Sequence, residues 1–246
     1  MPDPWLRPQA MTAPADPGIP AGDDIVSLVD VSVTVDRVPV LRGVDLTVSP
    51  GEAVGLLGAN GSGKTTLLHV LGRLLLPVAG SGRVLGVPLG TGTHKPTRSR
   101  VALVGHVAAV YPQLTLRENL HFLARLTGTG TDAADVALAT VGLARAADRR
   151  ADRCSQGMLR RTELARVLLV EPMLLLLDEA HAGLDAASLG LVELVVNAVR
   201  RRGGGCVVVS HEPDRLRFVV DRMVQVIDGA LRPCATESLS GAGGSR

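Results

Sequence analysis

Apolar and polar residues alternate over 25–35 and again over 40–48, the period-two pattern of half-buried strands. Pro50-Gly51 marks a turn after the second run. Residues 53–57 are short and wholly apolar, which predicts a strand covered on both faces. A glycine-rich loop follows. Period-3.6 spacing then predicts a helix over 64–75, with Leu67, Leu68, Leu71, Leu74 and Leu75 on its buried side. Amphipathic helices are predicted over 116–126, 133–141 and 158–170, the last stopped by Glu171-Pro172. Residues 174–177 and 206–209 read as buried strands, with a helix over 188–201 between them and Gly203 to Gly205 as the turn. Residues 224–227 followed by Asp228-Gly229 predict a late hairpin. Early antiparallel strands leading into strand, loop and helix predict an α/β chain with a mixed sheet. No internal repeat is visible.

Composition sharpens this picture at a few points. The 246 residues suffice for one large domain or two small ones. Trp5, Tyr111, Phe122 and Phe218 are the only aromatic residues, so the core must be aliphatic. The net charge of +2 gives no argument for nucleic acid. Lys64 and Lys95 are the only lysines. Cys154, Cys206 and Cys234 form no CxxC pair, and isolated reduced thiols are expected. No apolar run is long enough to span a bilayer. The prolines at positions 2, 4, 8, 14, 17 and 20 come without an apolar core, so no signal peptide is read here. Residues 1–23 are expected to be a disordered tail and 236–246 a flexible one, flanking a single unit over 24–235.

The loop Gly58-Ala59-Asn60-Gly61-Ser62-Gly63-Lys64-Thr65-Thr66 fits the pattern G-x-x-x-x-G-K-[ST]. Glycines let backbone N–H groups turn inward and approach phosphate oxygens closely. The helix beginning near Lys64 points its positive end at the same anion. Lys64 supplies a cation for the β- and γ-phosphates, and the Thr65 hydroxyl is a hard ligand for Mg²⁺. The bland alternative is a Gly/Ser turn that happens to contain Lys-Thr. The preceding apolar strand and following amphipathic helix are the context that favours the phosphate reading.

Leu174-Leu175-Leu176-Leu177-Asp178-Glu179 ends a buried strand in two carboxylates. Strand C-terminal ends face the ligand crevice of a parallel sheet. Asp178 is then placed to hold Mg²⁺, and Glu179 to act as general base on the attacking water. A solvated acidic turn is the alternative. Ser210-His211 closes the next strand in the same way, which puts His211 within reach of the γ-phosphate.

The phosphate loop is followed in order by Cys154-Ser155-Gln156-Gly157-Met158, Asp178-Glu179, Ala182-Gly183-Leu184-Asp185 and His211. Over about residues 25–232 this resembles the ATP-binding cassette of ABC transporters. The resemblance implies a P-loop NTPase fold with an antiparallel β subdomain and a helical signature subdomain over about 106–165. It implies that Ser155 and Gly157 bind the γ-phosphate held by a second cassette, in a homo- or heterodimer, and that Asp185 couples the two sites. His211 would be the switch histidine and Glu179 the catalytic base, and position 106 would sense the γ-phosphate. It also implies a separate integral membrane subunit, met near Tyr111 and Leu114, and a peripheral place at the cytoplasmic face of the plasma membrane.

The chain departs from the family pattern at several positions. Gln156 and Met158 replace the usual Gly and Gln of the signature, and Ala180 replaces the usual Pro. His106 stands where a Gln is usual. Val35 stands where an aromatic stacks on adenine. Val104-Gly105-His106, Leu114-Thr115-Leu116-Arg117-Glu118-Asn119-Leu120 and the Ser-x-Gly-Met signature resemble, more narrowly, the ATP-binding subunit of the haem exporter of cytochrome c maturation. Two alternatives stand beside this: a soluble ABC-type machine acting on DNA or ribosomes, and a degenerate cassette that does not hydrolyse.

Overall fold

The computed structural model describes residues 23–90, 97, 99–179 and 189–234. Nearly all of the two expected tails, together with Ala180 and Asp185, lie outside the described residues.

Two sheets carry the fold. β1 (Val26–Val35), β2 (Val38–Val48), β4 (Ala79–Val84) and β5 (Val87–Pro88) form an antiparallel sheet in the order β2-β1-β4-β5. The second sheet has the order β10-β9-β3-β8-β7-β6. Its members β3 (Ala53–Leu57), β6 (Val101–Val104), β7 (Leu174–Asp178), β8 (Gly205–Val209) and β9 (Arg222–Ile227) run parallel. β10 (Ala230–Pro233) closes the expected hairpin antiparallel to β9.

The helices are α1 (Lys64–Leu71), α2 (Leu116–Thr127), α3 (Thr131–Thr140), α4 (Gln156–Val170), α5 (Leu189–Arg201) and the short α6 (Pro213–Leu216). None among the described residues is long and apolar enough to cross a membrane.

The apolar strands are continuous because both faces are covered. Leu175, Leu177, Cys206 and Val208 pack into one cluster with residues of α2, α3, α4 and α5. Leu174, Leu176, Val207 and Val209 point the other way, into a second cluster with α1 and the antiparallel sheet. Successive side chains on a strand alternate faces, so a strand buried on both sides reads as an unbroken apolar run.

Two differences from the sequence reading have local causes. α1 ends at Leu71, because Arg73 takes a left-handed φ of 56° and the chain leaves the helix there. Leu74 is therefore exposed rather than buried, while Leu75 still packs partly on the core. β4 carries no apolar alternation. It passes so close to β1 that a Cβ on Gly80 would sit 2.2 Å from the Asp30 carbonyl oxygen, and glycine there serves close approach rather than core packing.

Beside the sheet, Thr115 and Glu118 cap α2 reciprocally. Thr115 Oγ1 accepts from the Glu118 N–H at 3.0 Å, and Glu118 Oε2 accepts from the Thr115 N–H at 2.8 Å. These bonds hold the Glu118 carboxyl below its ordinary range. Asn119 donates to the Tyr111 carbonyl at 3.1 Å and accepts from its N–H at 2.7 Å. The Thr-x-x-Glu-Asn stretch thus anchors the loop before α2 and holds Tyr111 at the surface, edge-on to Phe122 with ring centroids 5.4 Å apart.

Candidate active site

The C-terminal ends of β3, β6, β7 and β8 open on one side of the parallel sheet, and every sequence-predicted phosphate contact within one chain lies there. The β3–α1 loop needs its glycines for space. A Cβ on Gly58 would lie 2.7 Å from Ser62 Oγ and 2.8 Å from the Val226 carbonyl oxygen. On Gly63, at φ 111°, it would lie 2.9 Å from Leu41 Cδ2. Lys64 is buried and donates from Nζ to the Gly58 and Ala59 carbonyls at 2.8 Å each. Its ammonium is thereby folded back over the mouth of the loop. Ser62 Oγ is buried without a hydrogen-bond partner. An orphaned buried hydroxyl in a glycine-rich loop that opens a helix fits a loop shaped around phosphate oxygens.

Thr65 Oγ1 donates to Asp178 Oδ2 at 2.9 Å, so the first turn of α1 meets the end of β7. Two hard oxygen donors converge at that point, the kind of partial ligand set with which Mg²⁺ joins substrate phosphates. Among the described residues no group of three or more His, Cys, Asp and Glu side chains could hold a metal alone. Mg²⁺ bound mainly through phosphates does not need one.

Glu179 follows Asp178 with a φ of 53°, unusual for a residue with a side chain. Its N–H donates to the Val209 carbonyl at 3.2 Å, and Oε2 lies 2.9 Å from His211 Nδ1. The loop residues Asn60, Gly61, Gly63, Lys64, Thr65 and Thr66 enclose a pocket of about 290 Å³ with His106, Asp178 and Glu179. Ala59 and Ser62 line an adjoining cleft of about 890 Å³ that runs between the start of β2 and the β9–β10 turn.

Ser155 and Gly157 are not in the wall of the pocket that Lys64 and Glu179 line. Ser155 caps α4, its hydroxyl accepting from the Met158 N–H at 3.2 Å. Gln156 lines a separate cavity of about 490 Å³ that shares His106 and Glu179 with the Lys64 pocket. Asp185, the remaining predicted site residue, lies outside the described residues.

The profile of the ABC transporter family matches residues 41–182, from β2 through the end of β7. The chain belongs to the ABC transporter family. It is an ATP-binding cassette of that family, and an ATPase. The cassette is 36% identical over 192 residues to the cytochrome c biogenesis ATP-binding export protein CcmA 2 of Cupriavidus metallidurans, covering 77% of this chain and 90% of that protein. It is 36% identical over 215 residues to the lipoprotein-releasing system ATP-binding protein LolD of Anaeromyxobacter dehalogenans, covering 83% and 89%. Among solved structures it resembles the dimeric structure of a bacterial ABC transporter cassette at a TM-score of 0.77, with 25% identity over 84% of this chain and 96% of that one.

One feature of the cassette's site escaped the sequence reading. Arg160 of α4 is 7% exposed and donates to the Gly105 carbonyl at 2.6 Å and the Asp178 carbonyl at 2.8 Å. Burial lowers its pKa, against the pull of Glu163, Asp178 and Glu179. The signal was its spacing: Arg160, Leu164 and Val167 stand at i, i+4 and i+7 on the buried face of α4.

Proposed function

We propose that the chain is the motor of a transporter that exports haem, or a haem-linked group, for cytochrome c maturation, working beneath a separate integral membrane subunit. The observation that carries the ATPase chemistry is the single pocket in which the Lys64 loop, Asp178 and Glu179 meet. The narrower cargo is supported by Gly105-His106 and the Ser-x-Gly-Met signature, and by relatives named for cytochrome c biogenesis.

In this reading the loop amides, Ser62 and Lys64 bind the β- and γ-phosphates of ATP. Thr65 and Asp178 would hold Mg²⁺, which when bound neutralises phosphate charge. Glu179 takes a proton from water as the water oxygen attacks the γ-phosphorus, the bond to the β-phosphate oxygen breaks, and ADP and phosphate are released. His211, hydrogen-bonded to Glu179, orients that carboxylate and reaches the γ-phosphate. Ser155 and Gly157 stand at the positive end of α4 and take the γ-phosphate of a second cassette, so one chain holds two half-sites. His106 faces the same pocket, and Asp185 couples the halves. One cassette spans 24–235 and lies peripherally at the cytoplasmic face of the plasma membrane, meeting its membrane partner near Tyr111 and Leu114.

The test is purification of the tagged full chain from detergent-solubilised membranes, with mass spectrometry and a haem absorbance spectrum of whatever integral membrane protein comes with it. A haem-bearing membrane partner is expected. A membrane partner of a lipoprotein-releasing system, or ribosomes or DNA in place of a membrane protein, would overturn the cargo reading.

A further inference from the structure

We infer that Arg160 is a positioning residue that ties the signature turn of a cassette to the catalytic carboxylate of the same chain, and so couples the two ATP sites of the dimer. This rests on the two-half-site reading above.

Arg160 bridges three elements. It sits on α4 and donates to the carbonyl of Gly105, which directly follows β6, and to that of Asp178, which ends β7. Each carbonyl belongs to the residue just before a pocket residue, His106 in one case and Glu179 in the other. The peptide unit between Asp178 and Glu179 is therefore gripped at both ends. Its carbonyl accepts from Arg160 at 2.8 Å, and its N–H donates to Val209 at 3.2 Å. A peptide unit is a rigid plane, so moving the guanidinium tilts that plane and swings the Glu179 side chain. The left-handed φ of 53° at Glu179 is a backbone state that persists only where neighbours impose it. Arg160 is one of the groups imposing it.

Arginine suits this task better than lysine. Its planar fork presents separate N–H groups at fixed angles to two acceptors, while an ammonium is a point donor. The lever arm is short. Ser155 caps the helix that carries Arg160, five positions on, or about 7.5 Å along a rigid rod. A γ-phosphate of the second cassette that draws on Ser155 and the α4 N-terminus therefore shifts Arg160. Through Arg160 it shifts the peptide of Glu179, which serves the other ATP. Occupancy of one site is then felt at the catalytic carboxylate of its twin.

The experiment compares wild type, Arg160→Lys and Arg160→Gln in the intact transporter complex. It measures the ATP dependence of turnover, ATP affinity and melting temperature. Wild type is expected to show a Hill coefficient approaching 2, the limit set by about two sites. Both variants are expected to lose roughly tenfold or more in kcat. Their Hill coefficients should fall toward 1, with ATP affinity within about twofold of wild type, and Lys should rescue less than its retained charge alone would suggest. A general packing defect would lower affinity and melting temperature together with rate and leave cooperativity in place, and that result overturns the proposal. So does a cooperative wild type whose Arg160→Lys variant keeps the same kcat and Hill coefficient. In that second case the two-half-site reading survives. A wild type that hydrolyses ATP without cooperativity as a lone cassette would remove both.

Discussion

Thr65 Oγ1 lies 2.9 Å from Asp178 Oδ2, joining the first turn of α1 to the end of β7 across 113 positions of sequence. The hydroxyl belongs to the glycine-rich loop and the carboxylate to the last residue of β7, just before Glu179. In the proposed mechanism their bond sets the spacing between the place where phosphate is held and the place where water is activated.

Thr65→Val keeps the side chain's shape and removes the hydroxyl. A hydrogen bond to a charged group contributes about 1.5–3 kcal/mol, so affinity for Mg-ATP should fall roughly 10- to 100-fold. Affinity for ATP in excess EDTA should barely change, since the loop amides and Lys64 remain. Calorimetric titration under both conditions checks this. An equal loss with and without Mg²⁺ would place Thr65 on phosphate rather than on the metal.

Val35 pairs with Val38 across the β1–β2 turn, and Val38 lines the cleft beside the phosphate loop. Both are exposed, at 37% and 61%, and among the described residues no aromatic side chain is in the wall of that cleft. Val35→Tyr should therefore supply a stacking surface worth about 1 kcal/mol or more, tightening ATP binding roughly fivefold or better. Inorganic triphosphate has no base and should bind both forms alike. A gain shared by triphosphate, or no gain, would move the base elsewhere.

Cys206 lies between β3 and β7 at the centre of the sheet, and burial pushes its thiol up to about 12 from an ordinary 9.0. The sign follows from linkage. Above pH 9 the unfolded chain sheds this proton while the folded chain keeps it. The stability it contributes is complete below pH 9 and is lost as pH rises toward about 12. The slope is at most about 1.4 kcal/mol per pH unit. Cys206→Ala cannot show this loss, so the stability gap between wild type and variant should narrow from pH 9 upward. Urea titrations across that range measure it, and a constant gap would mean the thiol titrates as it does in the unfolded chain.

The parts of the site most readable in the sequence were those whose chemistry restricts residue type. Only glycine fits Gly58 and Gly63 beside Ser62 and Leu41, and an anion site favours a lysine at the start of the next helix. The strands were readable where both faces are buried, as at Leu174 to Leu177. β4 was not, because Gly80 answers to the approach of Asp30 and Gly82 to that of Leu28, which only the folded chain reveals. The end of α1 was misjudged because Leu74 and Leu75 keep the helical period, and Arg73 breaks it with a backbone angle that no side-chain pattern announces. Arg160 was overlooked since its partners are the backbone carbonyls of Gly105 and Asp178, groups every residue has.

The central claim is that Glu179, held 2.9 Å from His211 at the end of β7, is the base that activates water. Phosphate release by the purified transporter complex carrying Glu179→Gln tests it most directly, with retained ATP measured in the same samples. The account predicts turnover lower by about 10²- to 10⁴-fold with ATP still bound. Turnover equal to wild type would contradict it.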